Sequence, residues 1–181
     1  MKEKTIHSRR IFSGRLLKLD LLEVARADGL RARREVVRHP GAVAIWVRAA
    51  DGRFVFVRQY RKALESHLLE IVAGTREPGE AARRSALREV REETGYAVQR
   101  LISLGHLHAA PGFCDERLDL FFAQLSAGKS RARPDADEAL EVVFLSRQQF
   151  EQQLAAGQIH DAKTLAAWAL MQARHIDPPP R

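Results

Sequence analysis

Residues 74–96 read GTREPGEAARRSALREVREETGY, and the way this stretch folds decides how the rest of the chain is arranged. Pro78-Gly79 marks the entry to a helix, and Gly95 can take the left-handed conformation that commonly ends one. Between them Ala82, Ala86, Leu87 and Val90 recur at three- and four-residue steps, which predicts an apolar face packed on a sheet. Glu89, Glu92 and Glu93 are then neighbours on the side roughly opposite, because positions three and four apart adjoin on a helix. Like charges so placed cost about 0.2–0.5 kcal/mol each. A solvated face stitched by Arg88 to Glu92 would absorb that cost, and a bound cation would turn it to use.

Outward from the helix, residues 68–73 read as one strand that runs straight into it. Residues 42–47 and 54–59 are continuous apolar stretches joined by Asp51-Gly52, a frequent hairpin pair. Apolar side chains on each of Phe54-Val55-Phe56-Val57 need cover on both faces, so these are inner strands. Before them, strands at 5–12, 16–24 and 33–37, with turns at Ser13-Gly14 and Asp28-Gly29, read as a small antiparallel sheet. After the helix come strands at 98–107, 118–123 and 141–145, then helices at 147–154 and 161–173. The tail DPPPR cannot continue a helix and should be loose. The expected units are therefore an N-terminal β-element at 1–38, a main domain at 39–176 and a tail at 177–181.

With 181 residues, 45% hydrophobic and 29% charged, the chain suits a globular domain that buries a full core. Cys114 is the only cysteine, which excludes an internal disulfide and fits a reducing cytoplasm. The start MKEKTIHSRR has no apolar core of a leader, and no run approaches the roughly 18–20 apolar residues that span a bilayer. A net charge of +7 raises the question of nucleic acid, but the basic residues are dispersed and not interleaved with aromatics. An anionic small substrate accounts for them as well, and specific nucleic-acid binding is not expected.

Glutamate oxygens grouped on a helix edge suit Mg2+ or Mn2+, hard cations that often bridge carboxylates to substrate phosphates. The reaction this implies is attack of water on phosphorus, the metal lowering the water's pKa and neutralising charge on the phosphoryl oxygens. His106 and His108 share a strand face and could bind a metal, with partly buried imidazoles the favoured reading. Cys114 reads as a passive thiol, and Trp46 and Trp168 as core or dimer packing.

Gly74, five residues, Glu80, seven residues, then Arg88-Glu89-Val90-Arg91-Glu92-Glu93-Thr94-Gly95-Tyr96 resembles the Nudix box in seven residue types at seven offsets. Only Tyr96, where an aliphatic residue is usual, departs from it. Outside the box, Arg58-Gln59-Tyr60-Arg61, the run from Leu69 to Gly74, the run from Ala110 to Glu116 and Asp161-Ala162-Lys163-Thr164 resemble the ADP-ribose pyrophosphatase branch. That similarity runs from about residue 4 to residue 171. Val72 stands where proline is frequent and Ala110 where serine is frequent, departures that bear on substrate preference.

The resemblance implies an α/β (α+β) fold, the Nudix α/β/α sandwich, with the N-terminal antiparallel sheet used to form a homodimer. It implies hydrolysis of ADP-ribose to AMP and ribose 5-phosphate, or of a related NDP-sugar, with two or three Mg2+ or Mn2+ ions. By position in the motif, Glu89, Glu92, Glu93 and the backbone carbonyl of Ala73 would be metal ligands. Arg88 would orient a glutamate by a bidentate pair, with Glu80 assisting structurally. Arg61 would contact substrate phosphate, Glu70 and Glu116 would line the terminal ribose or metal cleft, and Pro111 belongs to the same substrate-binding set. Arg34 or Arg38 would reach the diphosphate. Phe12 is the candidate to stack adenine, with core packing as the competing reading. In residues 133–138, Glu138 is the candidate general base or ligand brought in by a closing lid, with Asp135 and Asp137 as alternatives. The competing function is a sensor that binds ADP-ribose or nucleic acid without cleaving it. Degenerate box glutamates would favour that sensor, and here all are intact. Hydrolysis of nucleoside triphosphates or capped RNA is disfavoured by the Arg-Gln-Tyr-Arg and Pro-Gly-Phe segments.

Overall fold

The computed structural model describes residues 2–129 and 140–176. β1 (Lys4–Ser13), β2 (Lys18–Ala25) and β3 (Arg31–Arg38) form an antiparallel sheet in that order. Its middle strand alternates, with Asp20, Leu22 and Val24 buried, as expected of a sheet packed on one face. β1 is exposed along its whole length, and Phe12, which should be packed if it were a core residue, is 57% exposed and lies over Gly14. The core-packing reading of Phe12 is thus corrected.

The second sheet contains β4 (Ala42–Arg48), β5 (Phe54–Arg61), β6 (Ser66–Glu70), β7 (Val72–Thr75), β8 (Tyr96–Leu107), β9 (Leu118–Lys129) and β10 (Leu140–Leu145). Its main path runs β10-β5-β4-β9-β8, with β4 and β9 parallel. Alternation along β4 builds two cores. Ala42, Ala44 and Trp46 join Phe54, Phe56, Phe150 and Met171 on one face, whereas Val43, Ile45 and Val47 join Val55, Val57, Ala86 and Val90 on the other. The first core is covered by α2 (Arg147–Ala155) and α3 (Ala162–Ala173), the second by α1 (Ala82–Thr94). These are the three layers of an α/β/α sandwich. Trp46 is fully buried, edge-on to Phe54, Phe56 and Phe150 at 5.1, 5.3 and 4.9 Å and tilted against Trp168 at 5.3 Å. Both tryptophans are therefore core residues.

Three local expectations need correcting. The apolar run at 68–73 is two strands: β6 pairs with β5, and β7 pairs with β4. The chain changes partner at Ile71, whose N–H is taken by the Thr164 hydroxyl at 3.0 Å. On α1 the buried residues are Ser85, Ala86, Glu89, Val90, Glu93 and Thr94, whereas Leu87 is exposed. At about 100° per residue Glu93 falls between Ala82 and Ala86 on the wheel, with Glu89 just beyond Ala82, so two of the glutamates lie along the packed face and do not oppose it. Finally, His106, near the end of β8, and His108, just beyond it, are both exposed.

The two sheets are stitched together near the cleft. Val37 of β3 forms a parallel bridge to Cys114, with Val37 N–H donating to Phe113 O at 2.7 Å and Asp115 N–H to Val37 O at 3.1 Å. Among the described residues no helix is long and apolar enough to cross a membrane.

Candidate active site

The close approach of β7 to α1 explains the glycine that opens the motif. A Cβ built on Gly74 would lie 2.0 Å from Glu89 Cδ and 2.1 and 2.3 Å from its carboxyl oxygens. The Glu89 carboxylate therefore occupies the space a side chain would fill. The glycine at the other end serves the helix itself. Gly95 takes φ 74° and its N–H donates to Arg91 O at 3.0 Å, closing α1.

Arg88 is the hub of the acidic edge. Its guanidinium donates to Glu80 Oε1 and Oε2 at 3.2 and 3.0 Å and to Glu92 Oε2 at 2.9 Å, and it stands 2.7 Å from Glu89 Oε1. Glu80 is buried at 4% exposure. The hydrogen bonds from Arg88 hold its carboxyl down at about 2, against the opposing effect of burial. The Arg88 guanidinium is in turn held more firmly protonated, first by the Glu80 hydrogen bond. Arg88 thus ties Glu89 and Glu92 to Glu80, and its bidentate pair falls on the buried Glu80.

Across from this edge a cleft of about 400 Å3 is lined by Ala73 and Gly74 of β7, Arg61 of β5, Glu116, and Asp161 and Lys163 at the start of α3. Arg61 makes a forked pair with Glu70, Nε to Oε1 and Nη2 to Oε2, both 2.6 Å. Lys163 also donates to Glu70 Oε2, and to Asp161 Oδ1 at 3.0 Å. Glu70 is 1% exposed. Burial pushes its carboxyl up, but Arg61 and Lys163 together outweigh burial and leave it below the ordinary range. Arg61 is held protonated first by that Glu70 bond, with Asp161 and Glu93 adding to it, which places its charge within reach of the acidic edge. Glu116 lies 3.6 Å from the His39 ring, and its backbone carbonyl meets the His108 ring at 2.9 Å.

Ala73, Arg61, Glu116 and, behind Arg61, Glu70 are therefore brought together with the α1 glutamates. Arg38 lines an adjoining basic cavity of about 850 Å3 with Arg15, Lys18, Arg76 and Arg88. Its guanidinium is engaged by Asp20 at 3.0 Å and Asp115 at 2.9 Å. Arg34, midway along β3, lines neither cavity and pairs with Glu3. Pro111 is exposed in a loop beside Val36, His108 and Phe113, outside the cleft lining. Glu138, Asp135 and Asp137 lie outside the described residues. Reading the sequence gave Lys163, Asp161 and His39 no role; the only signal for the first two was the quoted Asp161-Ala162-Lys163-Thr164 segment.

As a potential cation site the donor set is all oxygen, which fits a hard divalent ion. In the present rotamers Arg88 holds Glu89 and Glu92, and among the described residues no three His, Cys, Asp or Glu side chains converge closely enough to hold one. Loading would need Glu89 and Glu92 to turn from Arg88 toward Glu93 and the carbonyl of Ala73.

A family model described as NUDIX domain matches residues 37–168. The chain is 41% identical over 172 residues to the "Methanol dehydrogenase activator" of Bacillus methanolicus, covering 94% of this chain and 93% of that protein. It is 37% identical over 175 residues to the "ADP-ribose pyrophosphatase" of Bacillus subtilis (strain 168), covering 96% and 95%. To a "GDP-mannose pyrophosphatase" of Escherichia coli it is 31% identical, covering 85% and 86%. A crystal structure titled "ADP compounds hydrolase" superposes with a TM-score of 0.83 at 23% identity, covering 96% of this chain and 94% of that one.

Proposed function

Because the chain belongs to the Nudix family and is a Nudix pyrophosphohydrolase, we propose that it hydrolyses the diphosphate bond of ADP-ribose, giving AMP and ribose 5-phosphate, or that of a closely related NDP-sugar. One observation carries this reading: the cleft lined by Ala73, Gly74 and Arg61 meets α1 where the Glu89 carboxylate packs on Gly74, with Glu93 near enough to act on the Arg61 charge. That pairing suits a phosphate-bearing substrate held between cations on both sides. The similarity to a relative named for ADP-ribose over nearly its whole length supports the choice of substrate.

Glu89, Glu92, Glu93 and the Ala73 carbonyl would hold Mg2+ or Mn2+, as two or three ions. Such ions supply Lewis acidity, acidifying water and offsetting charge on phosphoryl oxygens. The chain's own residues do the rest. Arg88, anchored on Glu80, holds Glu89 and Glu92 at the edge of α1 until they turn toward Glu93 on metal loading. Arg61, which lines the cleft, has used two of its five N–H donors on Glu70, and the remainder would hold the diphosphate in line. Glu116 supplies an acceptor for a ribose hydroxyl. Glu138 takes the proton of the attacking water. Residues 1–38 act as a dimerisation element, with the exposed Ile6, Ile11 and Phe12 of β1 packing on a second copy, and residues 39–176 form the catalytic unit.

The test is release of AMP from ADP-ribose by the purified protein with Mg2+, loss of that release with EDTA, and a panel of NDP-sugars for comparison. No nucleotide release from any diphosphate-linked nucleotide would leave a binding module as the better account.

A further inference from the structure

Four charges build one wall of the cleft in a fixed order: Arg61, Asp161 and Lys163 line it, and Glu70 is set behind them. Glu70, 1% exposed, lies behind Arg61 and gives each oxygen to its fork. Lys163 adds a second contact to Oε2, and its other side is held by Asp161 at 3.0 Å. Lys163 cannot drift, because Asp161 caps α3: it accepts from Thr164 N–H at 3.1 Å and from the Thr164 hydroxyl at 2.6 Å. That hydroxyl also accepts from Ile71 N–H at 3.0 Å, one residue beyond Glu70. The lysine side chain is 12% exposed and the arginine 40%. Both cations line the cleft, but the lysine is the more deeply set, and its contacts are spent on Glu70 and Asp161.

We propose that Lys163 is a positioning residue for the nucleoside diphosphate: by holding Glu70 it fixes the Arg61 fork and keeps this wall of the cleft from turning negative. The proposal rests on the diphosphate reading of the cleft given above. The wall holds two cations, Arg61 and Lys163, and two anions, Glu70 and Asp161. Removing Lys163 leaves one uncompensated negative charge on a cleft whose Gly74 lining already abuts the Glu89 carboxylate, and a phosphate entering there is repelled. It also frees Glu70 Oε2 from one of its two donors, so that Arg61 loses the rigid partner that orients it.

The probe is α,β-methylene-ADP, a nucleoside diphosphate with an uncleavable bridge, titrated calorimetrically in Mg2+ buffer. Lys163→Met should raise its Kd about tenfold, the size expected of a unit charge one side chain from a phosphate in a half-solvated cleft. Lys163→Gln, which keeps a donor to Glu70 but no charge, should do the same and serves if the methionine variant fails to fold. The double variant Lys163→Met/Glu70→Gln restores the neutral wall but not the Arg61 fork, and should recover part of the lost affinity, which a purely structural lysine would not allow. The KM for ADP-ribose should rise in the same proportion as Kd, with kcat within about threefold of wild type. An unchanged Kd in a folded single variant, or a double variant weaker than Lys163→Met, would overturn the proposal. Absence of AMP release by the wild type would instead sink the hydrolase reading, and the Kd comparison would still decide the role of Lys163.

Discussion

Replacing Gly74 by alanine puts one methyl group where the Glu89 carboxylate now sits. The site of that methyl is 2.0 Å from Glu89 Cδ, whereas ordinary contact begins at 3.4 Å, so the carboxyl must retreat by about 1.4 Å. The backbone at Gly74 is not in the left-handed region and accepts alanine without strain, so the steric effect falls on Glu89 alone. A misplacement of about 1 Å in a catalytic constellation costs on the order of a hundredfold, and kcat for AMP release from ADP-ribose is expected to fall by at least about that factor. Stability should fall far less, by about 1–3 kcal/mol as for other overpacked sites, which lowers Tm by about 2–4 °C per kcal/mol in a chain of this size. Combining it with Glu89→Asp withdraws the carboxyl by one methylene, about 1.5 Å, and should recover part of the loss. The assays are steady-state turnover with saturating Mg2+ and thermal melting of the same preparations. A folded Gly74→Ala protein with near-normal kcat would refute the claim that this glycine exists to seat Glu89.

Three further outcomes follow from the geometry. Glu93→Gln should keep the fold by circular dichroism but lose turnover by about a hundredfold or more, since several kcal/mol of charge stabilisation depend on it. The Glu80 carboxyl lies at about 2 in the folded chain against 4.5 ordinarily, so its stabilising effect is complete above 4.5 and fades as pH falls toward 2. Urea midpoints across that window should accordingly drop more steeply for wild type than for Glu80→Gln, and parallel slopes would remove Glu80 from the account. Thr164→Val leaves the buried Ile71 N–H without its acceptor, and denaturant unfolding should register a loss of about 1–3 kcal/mol.

The α1 helix and most strands were legible because hydrophobic period and glycine position are local properties. What misled the reading was also physical. Leu87 belongs to the apolar series by spacing but falls beyond the margin of the packed arc, whereas Glu93 lies inside it, since a carboxylate at a cleft edge can be buried when ordered partners surround it. The run at 68–73 gives no sign of breaking, because the break depends on which strand lies beside each half and on Thr164, 93 residues away. The same distance hides the Glu70–Lys163 contact. Between Arg34 and Arg38 the sequence offered no choice, and only the register of β3 against β2, with Arg38 opposite Lys18 at the end next to the cavity, separates them.

The parallel pairing of β4 with β9 also governs how the molecule is made. Ala42 meets Leu118, 76 positions later in the chain, while β7 reaches the other edge of β4 much sooner, with Ala42 opposite Thr75. During synthesis β4 can gain β5, β7 and the helix that follows, but one long apolar edge waits until most of the chain has been made. Pairings of such wide sequence separation are slow to close, and an unpaired inner strand is a place where a partly made chain sticks to its neighbours. Variants that weaken β9 should therefore betray themselves first as poor yield of soluble protein, before any fault in catalysis is visible.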